Sequence, residues 1–232
     1  MTLSKQIKST LLFTLAALFA LPLFAQTKVT TDDIQEMVSY NLIPTFQTTN
    51  VKGNPYIADN FLMGSFELYS GATTENLEMN YNIYENRIEI VDGNQVYAVS
   101  ADDVKQFVVE MNGEETVYKK GFESRRLDAN QFVEVKADGA MSFLIKHEVN
   151  YSENSSAGYG SASKEEVYSK NKRYYLKKGG EVHELRRLRH RRVVKHFNDN
   201  KQVNNYIKEN NLDLSNPDHI EKAVTKYNEI TS

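Results

Sequence analysis

GSFELYSGATTENLEMNYNIYENRIEIVDGNQVYAVSADDVKQFVVEMN, residues 64–112, is the stretch on which the fold turns. It reads as five strand-like runs in close succession, at 64–69, 75–83, 87–91, 95–99 and 104–110. In the second run Leu77, Met79, Tyr81 and Ile83 share one face, while Glu78, Asn80 and Asn82 share the other. Side chains switch sides at every residue of a strand, so this alternation predicts a half-buried antiparallel strand with its polar side in water. Turn chemistry separates the runs: Ser70-Gly71, Glu85-Asn86, Asp92-Gly93-Asn94 and Asn112-Gly113. Asn-Gly and Asp-Gly accept the positive φ angles of tight hairpins, so the whole reads as a β-meander.

Downstream the pattern continues through extended runs at 115–119, 130–136 and 140–149. Asp138-Gly139 marks a hairpin that sets Phe132, Val133 and Val135 against Met141, Phe143 and Ile145. Residues 154–163, NSSAGYGSAS, read as a long exposed hairpin loop. Another hairpin follows at 172–178 and 181–188 around Gly179-Gly180. The period then changes to helical. Val193, Val194 and Phe197 form one edge; Val203, Tyr206, Ile207 and Asn210 form another. In the last helix Ser215 is the expected cap, Pro217 sits in the first turn, Asp218 supplies the capping carboxylate, and Ile220, Val224, Tyr227 and Ile230 form the stripe. The fold class is therefore α+β: a predominantly antiparallel meander curling into a sandwich or partial barrel, followed by about three short C-terminal helices.

Upstream, Lys5 and Lys8 precede a mainly apolar run from Leu11 to Ala25, the pattern of a cleavable signal peptide. At about 1.5 Å per residue that run falls short of a bilayer core of roughly 30 Å. The expected division is 1–25 signal peptide, 26–50 polar segment, 51–188 β domain and 189–232 helical segment packed on it. Within 26–50 a short helix is expected at 32–40 with Thr31 as cap, and Gly53-Asn54-Pro55 marks a turn. The chain contains no cysteine, which excludes disulfides, thiolate chemistry and a lipidated amino-terminal Cys. The expectation is export to the periplasm or beyond, with neither a lipid anchor nor a membrane helix in the mature chain.

The succession Gly53-Asn54-Pro55-Tyr56, LEMNYNIYEN at 77–86, Gly93, and Val104 with Phe107 resembles a family of exported proteins of unassigned function common in Bacteroidota. Tyr174-Tyr175-Leu176, residues 206–210 (YIKEN) and Tyr227-Asn228 extend the likeness. The resemblance implies an envelope location and a strand-rich body with a helical tail, and it brings no catalytic residues.

The search for chemistry returns little. His147 and Glu148, adjacent on a strand, point to opposite faces and cannot share a metal. His183, His190 and His196 lie among positive charges that oppose a cation, and the fifth histidine, His219, belongs to no ligand motif. No nucleophile elbow or phosphate loop occurs, and Gly158-Tyr159-Gly160-Ser161 belongs to the polar loop. Neither a catalytic residue, a cofactor nor a metal is expected. One anomaly stands out. Between Lys170 and His196 eleven Lys and Arg face only Glu181 and Glu184, a net +9. Without residues 1–25 the chain carries −5, so everything outside this stretch sums to −14.

Arg186, Arg187, Arg189, Arg191, Arg192 and Lys195 are the candidate site, reading as contacts for an anionic surface such as lipid or lipopolysaccharide. Two arguments oppose this. On a continuous helix these charges spread around the whole circumference, and they could instead neutralise the acidic remainder. Export argues against nucleic acid. Among the aromatics (14 Tyr, 11 Phe and no Trp), Phe66, Tyr81, Phe107 and Phe143 fall at core positions. Tyr69, Tyr84, Tyr97, Tyr159 and Tyr175 are less clearly buried, and their clustering would point to a sugar.

The functional expectation is an exported, non-enzymatic envelope protein that binds another envelope protein or an apolar ligand in the curled sheet. The alternatives are a hydrolase whose carboxylates meet only in the fold, and an anionic-surface binder using residues 170–196.

Overall fold

The structure is a computed structural model, and it describes residues 34, 43–44, 51–155 and 164–231. The signal-peptide run, the Thr31 cap, Tyr159 and the tip of the 154–163 loop lie outside the described residues. Of the helix expected at 32–40, Ile34 is described; it is helical and fully buried.

The described strands form one open antiparallel sheet, with helices following. They are β1 (Ile43–Pro44), β2 (Leu62–Leu68), β3 (Leu77–Asn82), β4 (Arg87–Asp92), β5 (Gln95–Ser100), β6 (Val104–Met111), β7 (Glu114–Lys119), β8 (Val133–Ala137), β9 (Met141–Ser155), β10 (Lys164–Lys178) and β11 (Glu181–Glu184). The five opening runs are all present, and Asn76, with φ 55°, delays the second until Leu77. Asn112 and Gly113 both take positive φ, 56° and 79°, as their hairpin requires.

The order across the sheet is β1-β5-β4-β3-β2-β6-β7-β8-β9-β10-β11. This corrects the simple meander. After β5 the chain turns through a 3-10 helix (Ala101–Asp103) and β6 returns to pair with β2. Two meanders thus share a seam. At that seam Gly64 pairs with both Leu77 and Val109. A Cβ there would stand 2.5 Å from the Val108 carbonyl oxygen, so only glycine fits.

The expected half-wet face of β3 is another correction. Asn80 and Asn82 are buried, as is Glu89 beside them on β4. A strap of residues 52–60 covers them. Its backbone bonds to β3 (Ile57 N to Tyr81 O, 3.0 Å; Ile83 N to Pro55 O, 2.9 Å). Asn80 Nδ2 donates to the Ala58 and Asn60 carbonyls at 3.0 Å each, and the Tyr56 hydroxyl donates to Glu89 Oε2 at 2.9 Å. At its start the strap forms a parallel bridge from Lys52 to Val167 on β10, which curls the sheet toward itself. The other face of this lobe carries the first core, with Phe66, Met79, Tyr81, Phe107 and Tyr118 among its residues.

At the far end both faces of β9 are buried. Met141, Phe143 and Ile145, with Leu176 on β10, meet the helical tail: α1 (His190–Val193), a 3-10 turn (Val194–Phe197), α2 (Lys201–Glu209) and α3 (Pro217–Thr231). Leu144, Tyr175 and Val133 form a separate cluster with Phe122 and Leu127 from the loop before β8. The expected facing of Val133 and Val135 on Met141, Phe143 and Ile145 is thereby overturned. Val135 pairs with Leu144, and a bulge between Val135 and Ala137 shifts the register. Tyr175, expected nearer the surface, is fully buried.

The tail follows its stripes, with Ile220, Ala223, Val224 and Tyr227 buried. Its cap differs: Asn216, not Ser215, accepts from the Asp218 amide at 2.9 Å, while Ser215 donates to Asp213 at 2.6 Å. Asn228 clamps the tail to the β8–β9 turn, accepting from Met141 N and donating to Met141 O, both at 2.8 Å.

Candidate functional site

β9 and β10 are 15 residues each, longer than their neighbours. β8 reaches only Ile145 and β11 only Tyr175, so beyond those points the pair continues as a two-stranded ribbon. The ribbon is the floor of a cleft of about 620 Å³, lined by residues 146–150 and 171–174. Ile83, Tyr84 and Gln131 line one side, and Glu184, Leu185, Arg186 and Leu188 line another. The lining is polar, unlike the apolar ligand site expected in the curled sheet.

Its charges are fixed in pairs. Arg173 Nε donates to both oxygens of Glu148 at 2.8 Å, and its terminal nitrogen donates to Glu184 Oε1 at 3.0 Å. Lys146 lies 3.3 Å from Glu148 and donates to the Arg126 carbonyl at 3.0 Å. His147 Nε2 is 2.7 Å from Glu134 Oε2. Burial pushes the Glu134 carboxyl up, but the hydrogen bond and charge of His147, with Lys136 and Lys172, more than offset it and leave it below the usual carboxylate range. A general acid needs the opposite shift, and both remaining carboxylates are locked to one guanidinium. The geometry suits holding a ligand better than hydrolysing one.

His147 and Glu148 do face opposite ways, each to its own partner. No group of three or more His, Cys, Asp or Glu that could hold a metal occurs among the described residues. Tyrosines do cluster: Tyr84, Tyr151 and Tyr168 have ring centroids 5.4 to 6.2 Å apart. Of this cluster only Tyr84 stands among the tyrosines singled out from the sequence, because the partners come from separate strands.

The six predicted cations lie beside the cleft. Arg186 lines it and approaches Glu184 at 3.7 Å. Arg187 lies in a bend and Arg189 just before α1, with Arg191 and Arg192 on α1 and Lys195 on the 3-10 turn. All six are exposed, while Val193 between them and Leu185 and Phe197 on either side are buried. The objection drawn from a continuous helix therefore fails. The chain is non-helical from Arg186 to Arg189, with a bend at Arg186 and Arg187, so the charges do not wind around one axis. Close internal pairing is absent for five of the six among the described residues. The side chains of Arg187, Arg189, Arg191, Arg192 and Lys195 make no hydrogen bond or ion pair with a described residue.

No helix among the described residues is long and apolar enough to cross a membrane. No family model matches this chain, and neither a curated protein nor a solved structure does.

Proposed function

We propose that this is an exported, non-enzymatic binding protein of the cell envelope that docks on anionic groups there through residues 186–195. The observation that carries the reading is the set of five exposed cations that make no hydrogen bond or ion pair with a described residue, in a molecule otherwise rich in acid. Cations paired within the protein have little attraction left to offer outside, whereas these keep all of theirs. Near an anionic surface each contributes about 1 kcal/mol, and at physiological salt the Debye length of about 8 Å confines the attraction to close contact. The same screening keeps the distant acidic surface from opposing it. Export rests on the amino-terminal pattern of Lys5, Lys8 and the apolar run to Ala25. The resemblance to exported Bacteroidota proteins agrees with it.

The test is co-sedimentation with vesicles of phosphatidylglycerol in phosphatidylcholine against phosphatidylcholine alone. The protein is expected on the anionic vesicles only, and to leave them as salt rises. Replacing Arg189, Arg191 and Arg192 together with Gln should weaken binding on the order of 100-fold, from three lost contributions of about 1 kcal/mol. Unchanged binding sinks the proposal. Amino-terminal sequencing of the protein from envelope fractions should begin at Gln26.

A further inference from the structure

We infer that the cleft on the β9–β10 ribbon is a binding site for an acidic saccharide. Its volume of about 620 Å³ lies within the roughly 300–1,000 Å³ of small-ligand pockets. The lining decides the chemistry. An apolar ligand would strip water from Gln131, Asn150, Asn171 and the charged groups without replacing their hydrogen bonds. A hydroxylated ligand replaces them.

The charge balance decides the sign. Lys146, Lys172, Arg173 and Arg186 line the cleft against Glu148 and Glu184. Both carboxylates are already engaged by Arg173, and Lys146 by Glu148, so this framework is set before a ligand arrives. Glu134 is taken up by His147. Lys172, on the His147 face of the ribbon, opposite Arg173, makes no hydrogen bond or ion pair with a described residue, although its charge acts on Glu134, and Arg186 has only a long contact to Glu184. What the framework leaves unspent is positive, and a carboxylate or phosphate on the ligand would complete it.

Tyr84 supplies the platform. Its ring is held against Tyr151 and Tyr168, yet it stays 49% exposed. A rigid, half-open ring beside polar groups fits the C–H face of a sugar. This site adjoins the proposed docking arc at Arg186, while Arg189, Arg191 and Arg192 do not line it.

The experiment is amide NMR of the full chain, titrated with a panel of uronic-acid, sialylated and phosphorylated saccharides, matched neutral saccharides, and inorganic phosphate. At least one acidic saccharide should give saturable shifts at residues 146–150, 171–174 and 184–188, while its neutral counterpart does not. Lys172→Gln should weaken it roughly tenfold or more, the scale of one charged hydrogen bond, and Tyr84→Ala should weaken it too. Both residues are exposed, and an unchanged spectrum elsewhere verifies each variant's fold. Failure of every acidic saccharide to saturate overturns the inference. So does equal binding of neutral partners, equal binding by Lys172→Gln, or phosphate alone reproducing the shifts. The titration contains no vesicles, so it fails separately from surface docking; shifts confined to residues 187–195 would also overturn the cleft assignment.

Discussion

The two ends of the sheet are each covered on both faces, but by opposite chemistry. Over β3 and β4 the second cover is polar: Asn80, Asn82 and Glu89 face a strap that answers them with carbonyls and the Tyr56 hydroxyl. Over β9 and β10 it is apolar, with Leu144 and Tyr175 meeting Phe122 and Leu127. An apolar cover gains by removing surface from water and tolerates imprecise contacts. A polar cover gains little net free energy per bond, and loses much if one partner goes missing. The first end should therefore be ordered by specific bonds, and the second held by volume.

Substitutions can break that contrast. Leu144→Ala, at a site with no exposure, should cost about 4 kcal/mol in urea unfolding, with Leu144→Met costing under about 1.5 kcal/mol. Equal penalties for both would remove the volume argument. Glu89→Ala should cost about 3 kcal/mol, because Arg87, bonded to Glu89 at 2.8 and 2.9 Å and also paired with Glu85, loses that acceptor along with Tyr56 and Asn82. Tyr56→Phe changes almost no volume and should still cost about 2 kcal/mol, the scale of a hydrogen bond to a charged group. A Tyr56→Phe protein as stable as wild type would show that the strap is held by something else. Hydrogen exchange should localise the loss to residues 52–60 and 77–90 rather than to the tail.

The smallest effect is one of pH. Glu134 has a folded-state carboxyl below its ordinary value, so its stabilising contribution is present above that ordinary value and is lost as pH falls through the lower folded one. Its facing groups are His147, Lys136, Lys172 and Tyr118. In Glu134→Gln the acid-side decline should shrink without vanishing, because Asp138 is lowered as well and keeps its own share. An unchanged decline would place the acid sensitivity elsewhere.

Much of this was readable from residues 64–112, where alternation and turn residues located each strand closely. That signal is local, and it was lost wherever a distant segment intervened. Asn80 and Asn82 look like a wet face until residues 52–60 cross them. Tyr174 and Tyr175 are equivalent in sequence, and a second apolar cluster buries Tyr175 completely. The return of β6 to β2 depends on seam packing around Gly64, with no turn to announce it. The cleft was hidden for the same reason: strand register brings His147 to Glu134 and, separately, Arg173 to Glu148 and Glu184, and the β8 bulge sets part of it. The cations of 186–195 could be found by counting, but that Arg187, Arg189, Arg191, Arg192 and Lys195 lack a close partner among the described residues required the fold.

The bridge from Lys52 to Val167 sets a timetable. The strap that closes the first lobe is fastened to a strand synthesised much later, with backbone bonds of 2.9 Å in both directions. Contacts so remote in the chain are slow to form and come after local hairpins. Until β10 emerges, the early strands can zip together while Asn80, Asn82 and Glu89 remain hydrated beneath an unfastened flap. Under the export proposed above, that delay would keep the leading half pliable until its far partner has followed it through.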